Sequence, residues 1–281
     1  MDRDNLKDYF DNYKGLIKIA SAISTNFNES VNNNGRLLIT VPAFSKLLLT
    51  YTTLLKLIPL PDGSFDISSI SSIVRVFIEL SNKLFFFGIE QVSDEELDFR
   101  LAFYNYLSVK DRFCIAKWLD AKNQKLTDFR LSEEEVSSFK QILEDMPFFK
   151  ALVEERKIID FSNLIKEGHN NKYFNRTKIQ EKRGIDNTWT NNWMNISSKF
   201  IHSSPAIIDQ HRNYLSDFDE ASLKDQLTAV IMIEICSDYF ATTILELRPY
   251  IKNWETIISI EEINLIRNYS NRIKTVIPNQ L

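Results

Sequence analysis

The chain has 281 residues, of which 44% are hydrophobic and 26% charged, a composition typical of globular proteins with a substantial core. With 6 glycines and 7 prolines it can form few tight turns, which disfavours barrels, sandwiches and glycine-rich phosphate loops. Its formal net charge of -4 lacks the basic excess of dedicated nucleic-acid binders, although a local basic patch is compatible with it.

The N-terminal half has apolar residues at three- and four-residue intervals, the spacing of helices that pack on one face. The predicted helices span residues 4–28, 42–58, 66–89 and 93–121. Pro42 is tolerated in a first helical turn, and Asp66 is a good N-cap. Ser93 followed by Glu96 forms a capping box, which marks the start of the fourth helix.

The C-terminal half follows the same pattern, with further helices predicted over residues 132–144, 147–156, 186–202, 220–247 and 259–274. Ser132 and Ser259 open capping boxes, and Asp186 is an N-cap. Alternating strand-like runs are almost absent. The sequence therefore predicts an all-α fold, a multi-helix bundle of about eight to ten helices.

The stretch of residues 159–184 is polar and lacks a sustained helical pattern, which indicates a long connection with short helical pieces. We expect a single helical domain over residues 1–281. The connection would divide this domain, if at all, into an N-terminal bundle (1–158) and C-terminal helices (185–281).

The spacing of the cysteines and the hydropathy of the chain indicate its cellular compartment and which cofactors it can hold. Cys114 and Cys236 lie in apolar helical contexts and are predicted to be buried free thiols. No metal-type spacing occurs, so we expect no metal and no cofactor. The N-terminus lacks an apolar signal segment, and the apolar stretches 37–60 and 73–89 contain charged residues. We therefore expect a cytoplasmic protein without a membrane partner.

The third predicted helix is apolar around most of its circumference, which is typical of a central helix. Arg75 and Glu79 lie one turn apart on its narrow polar strip. One interpretation is an exposed ion pair, which contributes about 0.2–0.5 kcal/mol. The other is a partly buried pair facing a cleft, where Arg75 binds a phosphate or carboxylate and Glu79 orients it.

The helix over residues 186–202 carries the second set of candidate residues. On one side it has an apolar stripe of Trp189, Trp193, Ile196 and Phe200. On the opposite side it has a ladder of small polar groups, Asn191, Asn195, Ser198 and His202. His202 either caps the helix end, where its cation suits the dipole, or acts as acid or base at a polar cleft.

Basic residues are concentrated between residues 166 and 183, with Tyr173 and Phe174 interleaved. The candidate nucleic-acid contacts in this stretch are Lys172, Arg176, Lys178 and Arg183. This mixture suits a phosphate backbone with aromatic stacking of bases. It is also the composition of a solvated connection between helices, and both interpretations stay open.

Three segments, residues 47–57, 66–79 and 196–205, together resemble a bacterial all-helical domain family of unknown function. That family is similar to the HEPN superfamily (higher-eukaryote and prokaryote nucleotide-binding domains). Its pattern is an Arg-x3-Glu on a buried helix and a later Ser-x3-His-Ser-x-Pro element. The matching residues are Arg75, Glu79, Ser198, His202, Ser203 and Pro205.

The resemblance implies either binding or RNA cleavage. Many HEPN domains are metal-independent ribonucleases in toxin–antitoxin or phage-defence systems, with Arg and His on one helix. Here any Arg–His site must join two helices, Arg75 with His202. The first prediction is a binding or interaction module whose polar cleft takes a phosphate-bearing ligand or a protein partner, with Asn195, Ser198 and Ser203 as further ligand contacts.

The alternative prediction is a metal-independent endoribonuclease. His202 would then be the general acid or base, Arg75 would stabilise the phosphorane charge, and Glu79 would hold Arg75. A third interpretation is that these three residues form a structural polar network between helices. Candidate partners are RNA, a nucleotide, a protein, or a second copy of the chain.

Overall fold

The computed structural model describes residues 3–28, 35–57, 67–121, 132–165, 173–201 and 218–274. Within these ranges it has twelve α-helices, one π-helical segment, one 3-10 helix and no β-strand. The predicted all-α, multi-helix fold is therefore confirmed. The helix number exceeds the prediction because three of the twelve are short helices of four to seven residues.

The helices are numbered here in chain order. The first four are α1 (Arg3–Ser24), α2 (Leu37–Lys56), α3 (Ile67–Leu84) and α4 (Asp94–Ala121). Four shorter helices follow, α5 (Glu133–Asp145), α6 (Pro147–Glu154), α7 (Phe161–Ile165) and α8 (Arg176–Lys182). The last four are α9 (Asn187–Ile201), α10 (Phe218–Glu246), α11 (Trp254–Ile257) and α12 (Ile260–Ile273).

The predicted capping boxes at Ser132 and Ser259 are confirmed. Ser132 Oγ accepts a hydrogen bond from the backbone N–H of Glu135 at 3.1 Å, and Glu135 Oε2 accepts one from the Ser132 N–H at 2.6 Å. Ser259 and Glu262 make the same pair of bonds at 3.2 and 2.9 Å. These reciprocal bonds satisfy backbone donors that a helix start otherwise leaves unpaired.

The start of α2 was predicted wrongly. The helix begins at Leu37 and contains Pro42 in its interior. A proline removes the hydrogen bond to the carbonyl four residues earlier, which belongs to Leu38. Leu38 is 75% exposed, so this part of α2 lies at the surface, and the helix continues through the proline.

The chain divides into two compact units. The first takes its described residues from Met1–Val31, Leu37–Ile89 and Ile179–Leu281, and the second from Asn32–Arg36 and Glu90–Lys178. The second unit is therefore an insertion in the sequence of the first. This division differs from the one expected at residues 159–184, since that stretch contributes to both units.

Helix α10 is the centre of the first unit and packs against α1, α2, α3 and α12. Residues 235–244 of α10 are all buried, and Phe240 lies at the middle of an aromatic cluster. Its ring centroid is 4.7 Å from that of Tyr51, 5.8 Å from Phe77 and 6.0 Å from Phe44. Helices α2 and α3 are thereby held on one side of α10.

A π-helical segment, Phe85–Ile89, ends α3. Its carbonyls find side-chain donors, because Thr40 Oγ1 donates to the Gly88 carbonyl at 3.2 Å and the Tyr250 hydroxyl donates to the Ile89 carbonyl at 2.8 Å. A Cβ atom on Gly88 would lie 2.5 Å from Thr40 Oγ1. The close approach of α2 to this segment therefore requires a glycine.

The second unit is built from α4, α5 and α6 around a core of aromatic rings. The rings in contact include Phe99, Phe103, Tyr106, Phe148, Phe149, Phe161, Tyr173 and Phe174. Phe174 is 3% exposed and packs edge-on against Phe103. The two aromatics that were candidates for base stacking thus belong to this core.

Two helical segments among the described residues are long and apolar enough to cross a membrane by length and composition. They are Leu37–Lys56 and Thr228–Glu246, each with a mean hydropathy of 1.4. A buried core helix passes the same test, and Thr228–Glu246 is 78% buried in this fold, against 39% for Leu37–Lys56. This is weak evidence for a membrane, and the expected cytoplasmic location stays a prediction.

The two cysteines differ. Cys236 is buried in α10, as predicted, whereas Cys114 is exposed. Cys114 lies near the C-terminal end of α4, where Ile115 and Trp118 are also exposed, by 45% and 60%. The prediction of a buried Cys114 was wrong because, in the part of the chain that the structure describes, no helix covers this end of α4.

Candidate functional site

The predicted Arg75–Glu79 pair is formed on α3. Arg75 Nε donates to Glu79 Oε1 at 3.0 Å, and the two side chains are 41% and 33% exposed. This is the only hydrogen bond of Arg75 within the described residues. An arginine has five N–H donors, so the four on its two Nη atoms remain available to a ligand.

The predicted partners of this pair on α9 lie on a helix that packs against α3. Thr190 and Met194 form the buried side of α9, Ser198 is half-buried, and Asn195 is exposed. Among the described residues, no hydrogen bond or ion pair joins Arg75 to Asn195 or Ser198. The structure therefore brings the two helices together, and a shared site of Arg75, Asn195 and Ser198 stays a prediction.

His202 and Ser203 lie outside the described residues, as does Lys172. Whether His202 shares a cleft with Arg75 therefore stays a prediction, and so does its role as acid or base. Of the apolar stripe predicted on α9, the side chain of Trp193 is described, and it is half-buried.

The basic stretch is not one surface. Lys178 is exposed and Arg176 is half-buried. Arg183 is 3% exposed, so it cannot contact a nucleic-acid backbone, and its assignment as a nucleic-acid contact is corrected. Arg183 faces the core because α8 ends one residue earlier, and the chain turns at Gly184, whose φ is +68°.

Arg183 is the centre of a buried polar network that the sequence did not reveal. Nε and Nη2 donate to the two carboxylate oxygens of Glu246 at 3.0 and 2.9 Å. Nη1 donates to Ser81 Oγ at 3.0 Å and Asn82 Oδ1 at 2.8 Å, and Nη2 also donates to Thr243 Oγ1 at 3.0 Å. All five N–H donors of the guanidinium are thus used.

The same guanidinium is flanked by aromatic rings. Its carbon lies 5.5 Å from the ring centroid of Phe85 and 5.6 Å from that of Tyr239, distances at which cation–π attraction operates. The Tyr239 hydroxyl accepts from Gln180 Nε2 at 2.7 Å and shares a hydrogen bond with Thr190 Oγ1 at 2.9 Å. This network joins α3, α8, α9 and α10 and is structural.

The second unit has its own buried arginine, Arg100, whose side chain is 1% exposed. Nη1 donates to Glu90 Oε2 at 2.8 Å, Nε donates to Glu96 Oε1 at 3.0 Å, and Nε also lies 3.2 Å from the Tyr173 hydroxyl. Burial raises the pKa of Tyr173 far above its usual range. The hydroxyl therefore stays protonated and can donate to Glu96 Oε1 at 3.3 Å.

A third charged cluster lies between α10 and α12, beside a cavity of about 90 Å³. Arg272 Nη2 is 3.1 Å from Glu234 Oε1, and Arg272 Nε is 3.4 Å from Asp238 Oδ1. Burial raises the pKa of Asp238 from near 3.8 to about 8, with Arg272 opposing and Glu234 adding to the rise. Sequence reasoning missed this cluster, although Asp238 in an otherwise apolar run was a signal.

A metal centre has no support in the part of the chain that the structure describes, where no group of three or more histidine, cysteine, aspartate or glutamate side chains could hold an ion. Comparisons with known proteins add no relative. No protein-family model, curated protein or solved structure matches the chain. The resemblance to the HEPN superfamily therefore stays a prediction.

Proposed function

We propose that this protein is a helical binding protein whose Arg75 recognises an anionic oxygen group, on a phosphate-bearing ligand or on a protein partner. The exposure of the Arg75 guanidinium and its remaining hydrogen-bond donors support this proposal. Glu79 holds it through Nε at 3.0 Å, while 41% of the side chain stays exposed and neither Nη group donates to another described residue. A guanidinium fixed on one edge offers its other edge as a fork for two oxygens.

The alternative is a HEPN-like metal-independent endoribonuclease of a toxin or phage-defence system. It depends on His202 lying within hydrogen-bond reach of the reacting phosphate. No contact of the described residues favours it. Incubating the protein and its His202→Ala variant with RNA in EDTA tests it, since cleavage lost at unchanged melting temperature would support the nuclease.

The binding proposal is tested by nuclear magnetic resonance of arginine Nε–Hε groups. The Arg75 signal is identified by its loss in Arg75→Ala. Inorganic phosphate is then titrated at constant ionic strength, with chloride as the reference anion. Arg248 is the matched control, because its Nη2 pairs with Glu255 Oε1 at 2.7 Å on an exposed surface.

We expect phosphate to shift the Arg75 signal and to leave the Arg248 signal in place. Arg75→Lys keeps the charge but lacks the fork, so it should weaken phosphate binding by about tenfold. Its melting temperature should stay close to that of the wild type, since an exposed helical pair contributes about 0.2–0.5 kcal/mol. Equal shifts at Arg75 and Arg248 would show that Arg75 is an ordinary surface arginine, and the proposal would fail.

A further inference from the structure

The cavity between α10 and α12 is lined by both apolar and ionisable side chains. Its lining residues are Ile231, Glu234, Ile235, Asp238, Arg272 and Ile273. Three isoleucines give it an apolar lining, and the other three side chains are ionisable. Its volume of about 90 Å³ compares with about 30 Å³ for one water in the liquid, so it admits a small group of a few heavy atoms.

The ionisable groups are unbalanced in charge. Glu234 and Asp238 lie one turn apart on α10 and share a single guanidinium, that of Arg272. The side chain of Arg272 is 42% exposed, whereas that of Asp238 is 6% exposed. When both carboxyls are ionised, the cluster carries one net negative charge, and the carboxylate of Asp238 is largely removed from water.

Asp238 also has an unfilled acceptor. Its Oδ1 atom is buried and accepts no hydrogen bond from the described residues, although Arg272 Nε lies 3.4 Å from it. A buried acceptor without a hydrogen bond costs about 1–3 kcal/mol, and the charge of Arg272 offsets part of this cost. The pKa of Asp238 rises because of this burial. The charged groups that act on it are Arg272, which lies over the Tyr269 ring, and Glu234. Among the described residues that line the cavity, Arg272 is the one cation.

We propose that this cavity binds an alkylammonium group, with its N–H donors directed to Asp238 and Glu234 and its methylene groups against the isoleucines. An ammonium supplies the missing charge and a donor for Asp238 Oδ1. An anion would face the net negative charge. A divalent metal ion would find two protein carboxylates, fewer ligands than it usually takes. The site is independent of Arg75.

The probe is butylammonium, titrated into the full chain by calorimetry, with butanol and butyrate as the neutral and anionic controls. Titrations at about pH 6 and about pH 9 use the fact that an alkylammonium keeps its proton to about pH 10. The variants are Asp238→Asn and Glu234→Gln. Glu255→Gln is the matched control, because Glu255 pairs with an exposed arginine elsewhere.

We expect butylammonium to bind and both controls to fail. Its affinity should rise by about tenfold per pH unit until Asp238 is ionised, with a proton released on binding. Asp238→Asn should weaken binding at high pH by about tenfold or more and remove this pH dependence. Glu234→Gln should weaken binding while keeping the pH dependence, so the site is still tested if Asp238→Asn fails to fold.

Three results would overturn the proposal: no butylammonium binding to the wild type, equal binding in Asp238→Asn, or calcium binding that depends on Asp238 while butylammonium does not bind. A titration with a blocked lysine, N-acetyl-lysine N-methylamide, tests whether the bound alkylammonium group belongs to a lysine side chain or to a free amine. Binding as tight as that of butylammonium identifies the lysine side chain of a partner. Binding of butylammonium alone identifies a free amine.

Discussion

Replacing Arg183 by methionine removes the cation of the buried network and keeps most of its volume. The change leaves the carboxylate of Glu246 without its two hydrogen bonds. It also leaves Asn82 Oδ1 and the hydroxyls of Ser81 and Thr243 without the guanidinium. We expect a large loss of stability in the first unit.

The size of the loss follows from the burial. Removing one partner of a buried ion pair costs about 3–5 kcal/mol, because the other charge is left without compensation. The side chains of Arg183 and Glu246 are 0% and 13% exposed, so little of the Glu246 charge can be hydrated without movement. A loss of this size is a large part of the stability of a typical domain, about 5–15 kcal/mol.

Urea unfolding followed by tryptophan fluorescence measures this loss, since Trp254 is buried in the first unit. Arg248→Met is the control, because its pair with Glu255 is exposed to water and should contribute little to stability. Glu246→Gln and the double variant complete a cycle. We expect the double variant to lose less than the sum of the two single losses, by about 0.5–3 kcal/mol.

An Arg183→Met variant as stable as Arg248→Met would refute the reasoning. It would mean that the network is replaced without cost by apolar packing, as happens for some buried ion pairs. Strict additivity in the cycle would also count against it, because the five hydrogen bonds would then not act as one unit.

Three further predictions concern other buried groups. Asp238→Asn should flatten the pH dependence of stability. Between about pH 4 and 8 the carboxyl of Asp238 keeps its proton in the folded protein, whereas the unfolded chain releases it. The free energy of unfolding therefore falls as pH rises, by at most about 1.4 kcal/mol per pH unit. Urea midpoints across this range measure the slope, and an unchanged slope would contradict the assignment. Tyr51→Phe removes the buried 2.6 Å hydrogen bond with Ser237 and should cost about 0.5–1.5 kcal/mol in urea unfolding; no measurable loss would argue against this bond. Gly88→Ala brings a Cβ to 2.5 Å from Thr40 Oγ1 and should cost about 1–3 kcal/mol. Adding Thr40→Ala should recover part of that loss in thermal melting, and no recovery would place the strain elsewhere.

The helices could be predicted because their signals are local. The capping boxes at Ser132 and Ser259 each lie within four residues of sequence and correctly mark two helix starts. The Arg75–Glu79 pair could be predicted for the same reason, since residues four apart share a helix face. The start of α2 could not be predicted from Pro42, because a proline can also lie inside a helix at the loss of one backbone hydrogen bond.

The buried charges could not be predicted because their partners are distant in the sequence. Lys178 and Arg183 belong to one basic stretch, yet one is exposed and the other is buried. The difference is made by Glu246, 63 residues beyond Arg183. Composition counts charges along the chain, whereas burial depends on which helix packs against which.

In the cluster at Asp238, the partner could not be predicted from the sequence either, but Asp238 itself could have been singled out. A carboxylate in an apolar run is a visible anomaly, because burial of an unpaired charge is costly. Its counter-ion, Arg272, lies on another helix, and nothing near it in the sequence points to the pairing. The sequence could therefore have marked one residue of the site but not the cavity.

The interleaved order of the two units has a consequence during synthesis on the ribosome. Ser81 and Asn82 are made 102 and 101 residues before Arg183, and nearly all of the second unit is translated in that interval. Because domains fold as units while the chain emerges, the second unit can complete first. Helix α3 can pack against α2 as soon as both have emerged, but its contacts with α9 and α10 form only after the second unit has been made.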